Sequence, residues 1–154
     1  MSYALWGLLT EGAESWEQAA APDWATRHLD RVLDIYLPAQ VLYREVTEDM
    51  SIAGCPLHAG QSVVLDVPAI NTMARAAKPK AARRGVRPRG GSVTFGAGTH
   101  KCPGEFLARL IIARAIPALA RRFPRLVLYT DQCSFRSTPM VRSPIALPCS
   151  GITK

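Results

Sequence analysis

A glycine-rich stretch at residues 95–109 constrains the fold of this chain more than any other feature. It reads FGAGTHKCPGEFLAR and presents one cysteine, Cys102, directly before a segment whose apolar residues recur at helical spacing. We therefore predict a long helix over residues 103–122. Glycines let a backbone adopt positive φ values and approach a flat ligand closely. The stretch holds three of them, Gly96, Gly98 and Gly104.

The chemistry of this stretch centres on Cys102. A thiol at the start of a helix lies near the positive end of the helix dipole, which suits a thiolate. One thiolate without further cysteine or histidine ligands at zinc-site spacing suits a haem iron better than a zinc ion. A chance glycine loop beside an ordinary buried cysteine is the alternative interpretation.

The pattern F-G-x-G-x-H-x-C-x-G is complete between Phe95 and Gly104. It resembles the haem-binding signature of the cytochrome P-450 superfamily, the haem-thiolate monooxygenases, and the likeness to the bacterial members runs from about residue 4 to residue 148. The resemblance implies that Cys102 is the axial ligand of the iron of haem b. It also implies that His100 contacts a haem propionate and that Phe95 shields the sulfur, with Gly96, Gly98 and Gly104 shaping the loop.

The elements before and after the loop resemble the C-terminal, haem-binding part of that fold. We predict helices over residues 3–18 and 22–36, which resemble the J and K helices, while residues 103–122 resemble the L helix. Residues 44–71 have β-type character and resemble a small sheet. The fold class that this implies is α+β, a truncated cytochrome P-450 fold in one domain over residues 1–154.

Arg44, and the pair formed by Arg31 and Asp34, leave the role of the site open. By resemblance, Arg44 would bind a haem propionate, but it could equally be a surface strand residue paired with Glu45 or Glu48. The K helix of the family carries Glu-x-x-Arg, whereas Arg31 and Asp34 stand here with the charges exchanged. Arg87 would have to reach Asp34 in place of the usual glutamate. This exchange favours shared ancestry without bound haem.

The charge of the chain is concentrated in one segment. The net charge is +7, and residues 75–89 contain seven Lys and Arg but no acid. Three interpretations compete for this loop: a solvated, mobile segment without apolar anchors, a docking surface for an acidic ferredoxin-like redox partner, or a nucleic-acid contact. We rank nucleic acid last because no aromatic residues interleave the charges to stack on bases.

Other features indicate the compartment. No apolar run approaches the ~20 residues of a membrane span, so we predict a cytoplasmic protein without membrane contact. The remaining cysteines, Cys55, Cys133 and Cys149, match no zinc motif. They are expected to be ordinary thiols, although a disulfide between Cys133 and Cys149 is left open.

Length sets the functional expectations. With 154 residues the chain can match only the C-terminal part of the family's domain, so the oxygen-activating helix and the substrate pocket are expected to be absent. The first interpretation is a monooxygenase-type haem-thiolate oxidoreductase fragment that needs a complementary N-terminal chain or a homo-oligomer. The second is a non-catalytic haem-binding module. The third is a remnant or scaffold without haem.

Overall fold

Helices form the first part of the molecule. The computed structural model describes residues 1–76 and 92–151, and it begins with α1 (Ser2–Thr10), α2 (Ala13–Gln18) and α3 (Trp24–Ile35). The prediction of a single helix over residues 3–18 is wrong. Gly12 separates α1 from α2 with a φ of 111°, a backbone conformation that a glycine adopts without strain.

Short strands and two further helices follow. The strands are β1 (Val41–Glu45), β2 (Met50–Ile52), β3 (Cys55–Leu57), β4 (Ser62–Asp66), β5 (Val127–Leu128), β6 (Ser134–Ser137), β7 (Arg142–Ala146) and β8 (Cys149–Ser150). The helices are α4 (Val67–Ala76) and α5 (Glu105–Arg122). The described residues thus form a mixed α+β fold, which confirms the predicted class.

The strands of the described residues pair only two by two. Each pair is antiparallel: β1 with β4, β2 with β3, β5 with β8, and β6 with β7. The prediction of β-type structure through residue 71 is wrong at its end. Asp66 caps α4 because its Oδ1 atom accepts a hydrogen bond from the Ala69 amide at 2.9 Å, and Pro68 is tolerated in a first helical turn.

The hydrophobic core lies between the N-terminal helices and α5. Trp16, Trp24 and Val32 are almost completely buried together with Ile116 of α5. The indole Nε1 of Trp16 donates a hydrogen bond to the Phe123 carbonyl at 2.9 Å. This bond ties α2 to the C-terminal end of the helix that follows the cysteine loop.

No helix within residues 1–76 and 92–151 combines the length and the apolar character that crossing a membrane would require.

Candidate functional site

A cleft of about 570 Å³ lies beside the cysteine loop, within the size range of small-molecule sites. Its walls come from the start of α1, the end of α3, β1, the loop, α5 and β7. Of the seven predicted site residues, five line it: Arg44, Phe95, Gly96, His100 and Cys102. The other two, Gly98 and Gly104, belong to the loop but not to the lining.

Backbone hydrogen bonds fold the cysteine loop back on itself. The Cys102 amide donates to the Phe95 carbonyl at 2.7 Å, and the Gly96 amide donates to the Val93 carbonyl at 2.8 Å. Gly96 and Gly98 have φ values of 73° and 68°, as expected for left-handed turns. The prediction of a positive φ is wrong for Gly104, whose φ is −85° because it is already turning into α5.

Charged side chains fix the start of α5 against the loop. Glu105 accepts from Lys101 at 2.7 Å and from Arg109 at 2.8 Å, and these two hydrogen bonds lower the pKa of Glu105. Arg109 also pairs with Asp30 of α3 and lies 5.4 Å from the centroid of the Phe95 ring. One guanidinium group therefore joins α3, α5 and the aromatic residue of the loop.

Arg44 and His100 supply nitrogen donors to the lining of the cleft. The Arg44 Nη1 atom donates to the neighbouring Tyr43 carbonyl at 2.8 Å. Within the described part of the chain, Arg44 is an exposed residue of β1 and forms no ion pair with Glu45 or Glu48, so of the alternative that the sequence left open only the pairing is not observed. Its guanidinium remains near the cleft, where an anionic group could meet it.

The exchanged charges of α3 have separate partners. Arg31 binds the Glu11 carboxylate, with its Nη2 atom 2.8 Å from Oε1, and the Asp34 Oδ1 atom accepts from the Thr94 hydroxyl at 3.0 Å. Among the ion pairs of the described residues there is none between Arg31 and Asp34. The predicted contact of Arg87 lies outside the described residues, as does most of the basic loop at residues 75–89.

All four cysteines are free thiols, so the disulfide considered between Cys133 and Cys149 is not formed. In the described ranges there is no group of three or more His, Cys, Asp or Glu side chains that could hold a bare metal ion. Cys102 is exposed. It shares the lining of the cleft with Arg44 and His100, so a thiol, a guanidinium and an imidazole face the same ligand-sized space.

Sequence patterns did not identify Tyr36 as a cleft residue. It lines the cleft at the end of α3, and its hydroxyl donates to the Glu11 Oε1 atom at 2.6 Å. The same carboxylate binds Arg31. Glu11, which directly follows α1, therefore holds both the C-terminal part of α3 and the residue that ends it. Tyr36 occurs at helical spacing with the core positions of α3, and this pattern gave no sign of its polar contact.

We expect the hydroxyl of Tyr36 to ionise at a higher pH than that of an ordinary tyrosine. Burial and the hydrogen bond to Glu11 raise the pKa of Tyr36 from 10.0 to about 12. The neutral phenol is favoured in the folded state, so its stabilising contribution is complete below pH 10.0 and is lost as the pH rises to about 12. Alkaline absorbance titration should show an ionisation near pH 12 that Tyr36→Phe removes. The assignment would be wrong if the variant kept that step.

Comparisons with known proteins give a consistent result. No protein-family model matches the chain. Nocardicin C N-oxygenase of Nocardia uniformis subsp. tsuyamanensis is 33% identical over 107 residues, which cover 68% of this chain and 27% of that enzyme. Cytochrome P-450 monooxygenase DoxA of Streptomyces peucetius subsp. caesius is 32% identical over 116 residues, covering 73% of this chain and 28% of that enzyme.

The fold has relatives of known structure. P450BioI, crystallised with an acyl carrier protein that carries hexadec-9Z-enoic acid, superimposes with a TM-score of 0.81 and 27% identity over 98% of this chain and 39% of its own. This chain therefore spans between about a quarter and two fifths of the length of these proteins.

Proposed function

Because this chain belongs to the cytochrome P-450 superfamily, we propose that it is a monooxygenase-type haem-thiolate protein that binds the iron of haem b through Cys102. The observation that carries the proposal is the position of Cys102 on a cleft that Arg44, His100 and Phe95 also line. A bound haem would supply the oxygen-activating chemistry that thiolate ligation of iron favours.

Each residue of the cleft has a part in holding the group. Cys102 would provide the sulfur ligand, and Arg44 and His100 would pair with the propionates, since charge-assisted hydrogen bonds to carboxylates are strong. Gly96 lets the loop fold tightly around His100, because a Cβ there would lie 3.3 Å from the His100 carbonyl oxygen. Phe95, held by Arg109, would exclude water from one side of the sulfur.

A second polypeptide surface is part of the proposal. Four large side chains of α5 lie exposed close to the cysteine loop: Phe106 (78%), Leu107 (59%), Leu110 (42%) and Ile111 (45%). Contiguous apolar surface of this kind marks an interaction site. We propose that a complementary chain with the rest of the family fold, or a second copy, covers this stripe and closes the cleft.

An electron donor is the other proposed partner. The seven basic residues at positions 75–89 support an acidic redox protein of the ferredoxin class, since complementary charge accelerates association. An encounter in the cytoplasm is in keeping with four free thiols.

A non-catalytic haem-binding module is the second candidate. Its support is that no aspartate or glutamate lines the cleft within the described residues, so this part of the chain offers no carboxyl group there for proton delivery. Turnover would then depend on groups from the covering chain. Supplying peroxide or a reductase and assaying for oxidised product distinguishes the two candidates.

The test of the proposal is reconstitution with haem followed by the spectrum of the reduced carbon-monoxide complex. We expect the red-shifted band of thiolate ligation, and we expect Cys102→Ala to lose it because no other cysteine lines the cleft in the described part of the chain. Cys55→Ala is the matched control, since it removes another exposed thiol that lies on β3. A red-shifted band that survives in Cys102→Ala, or no haem uptake at all, would overturn the proposal.

A further inference from the structure

A buried amide lies behind the cysteine loop. Asn71 of α4 is 1% exposed and is the buried polar side chain of the described core. Its Oδ1 atom accepts from the Val93 amide at 2.8 Å, and its Nδ2 atom donates to the Thr94 hydroxyl at 2.8 Å. A buried amide with both ends bonded is costly to disturb, because either end left unpaired loses its solvation without compensation.

The contacts of Asn71 continue into α3. The Thr94 hydroxyl donates to the Asp34 Oδ1 atom at 3.0 Å, while the Asn71 Nδ2 atom also lies 3.5 Å from the Asp34 carbonyl oxygen. The single proton of Thr94 is used toward Asp34, and its oxygen accepts from Asn71, so the directions of the bonds are mutually consistent. We call Asn71, Thr94 and Asp34 the latch.

The latch is coupled to the cysteine through the backbone. Asn71 holds the amide of Val93, the Val93 carbonyl accepts from Gly96, and the carbonyl of Phe95, next to Thr94, accepts from Cys102 at 2.7 Å. Thr94 and Phe95 also line the cleft. A displacement of Thr94 would therefore also move its neighbour Phe95, whose carbonyl holds the Cys102 amide.

We propose that Asn71 and Thr94 are positioning residues for Cys102, and that this hydrogen-bonded latch is the means by which α3 and α4 hold the thiol at the cleft. The latch includes one of the exchanged charges of α3, Asp34, through its bond with Thr94, while Arg31 is engaged by Glu11. This inference rests on the proposed function for its consequence at iron, but its geometry does not need a ligand.

The first arm of the test uses the protein without haem. In Thr94→Val, which keeps the shape but removes the hydroxyl, we expect amide hydrogen exchange in residues 93–102 to accelerate about tenfold, because the loop opens locally more often. Thr94→Ser should restore slow exchange. Thr138→Val is the matched control, since the Thr138 hydroxyl is also bonded to a neighbouring backbone group, Val141, in a segment that does not line the cleft.

The second arm uses the haem-loaded protein. We expect Thr94→Val and Asn71→Leu to weaken haem affinity about tenfold, as loss of an outer hydrogen-bond partner typically does, and to lower the fraction of the red-shifted carbon-monoxide band. Thr94→Ser should recover that fraction, which a general loss of stability would not explain.

The two arms separate the two proposals. If the wild-type protein takes up no haem but Thr94→Val still accelerates exchange at residues 93–102, the proposed function fails and the latch stands. If haem binds through Cys102 and Thr94→Val changes neither exchange nor spectrum, or changes exchange equally throughout the molecule, the latch is refuted and the proposed function stands.

Discussion

Replacing Trp16 with alanine is expected to lower the free energy of unfolding by about 4 kcal/mol, the typical cost of emptying a buried tryptophan site. Trp16 is 2% exposed, and its indole joins α2 to the Phe123 carbonyl at the end of α5. The substitution leaves a cavity and also removes that donor. Since native domains are stable by only about 5–15 kcal/mol, this single change approaches the limit that the fold can tolerate.

The controls for Trp16 divide packing from hydrogen bonding. Trp16→Phe keeps most of the ring and loses the donor, for which we expect about 1 kcal/mol. Glu14→Ala lies on the exposed side of the same helix and should change little. Urea denaturation followed by circular dichroism measures all three. A Trp16→Ala variant as stable as Glu14→Ala would show that α2 is not anchored through this residue.

Gly7→Ala is expected to destabilise the protein by about 2 kcal/mol, the order of magnitude for overpacking, although alanine has the higher helix propensity by about 1 kcal/mol. A Cβ atom at position 7 would lie 2.4 Å from Cγ, Cδ1 and Cδ2 of Tyr36. These atoms belong to the base and sides of the ring, so the whole side chain would have to move. Tyr36 would then leave the Glu11 carboxylate.

A double-mutant cycle isolates this contact. In a Tyr36→Ala background the ring is gone, and Gly7→Ala should become neutral or stabilising because only helix propensity remains. Thermal or urea denaturation of the four variants gives the coupling free energy. The interpretation would fail if Gly7→Ala alone raised stability. Alkaline titration adds a second measurement, since the ionisation near pH 12 should shift toward 10.0 in Gly7→Ala.

Local patterns predicted much of the fold. The glycine loop and the helix after Cys102 were readable because short-range rules govern both: left-handed turns at Gly96 and Gly98, and apolar spacing along α5. The membership of the superfamily is confirmed, and it could be predicted because the motif is contiguous in sequence. The mixed α+β class is confirmed as well.

The errors arise where distant residues decide the outcome. The partner of Arg31 is Glu11, twenty positions away, and no helical spacing rule could have identified it. Asn71 is the last residue of the segment predicted to have β-type structure, yet its partners lie on a different segment more than twenty positions later. The start of α4 at Val67 depends on capping by Asp66, which the β-branched residues of β4 obscured.

The pairing of the strands has a consequence for how the molecule comes apart. Within the described residues each ribbon has two strands and shares no ladder with another ribbon, and isolated ribbons of that kind are marginally stable. The ribbons β1–β4 and β6–β7 are nevertheless joined beside their strands, since the Gln40 amide donates to the Met140 carbonyl and the Arg142 amide donates to the Pro38 carbonyl, both at 2.8 Å. Opening should therefore begin at the β2–β3 hairpin, which shares no ladder with another ribbon, and should reach the tryptophan-filled helical centre last.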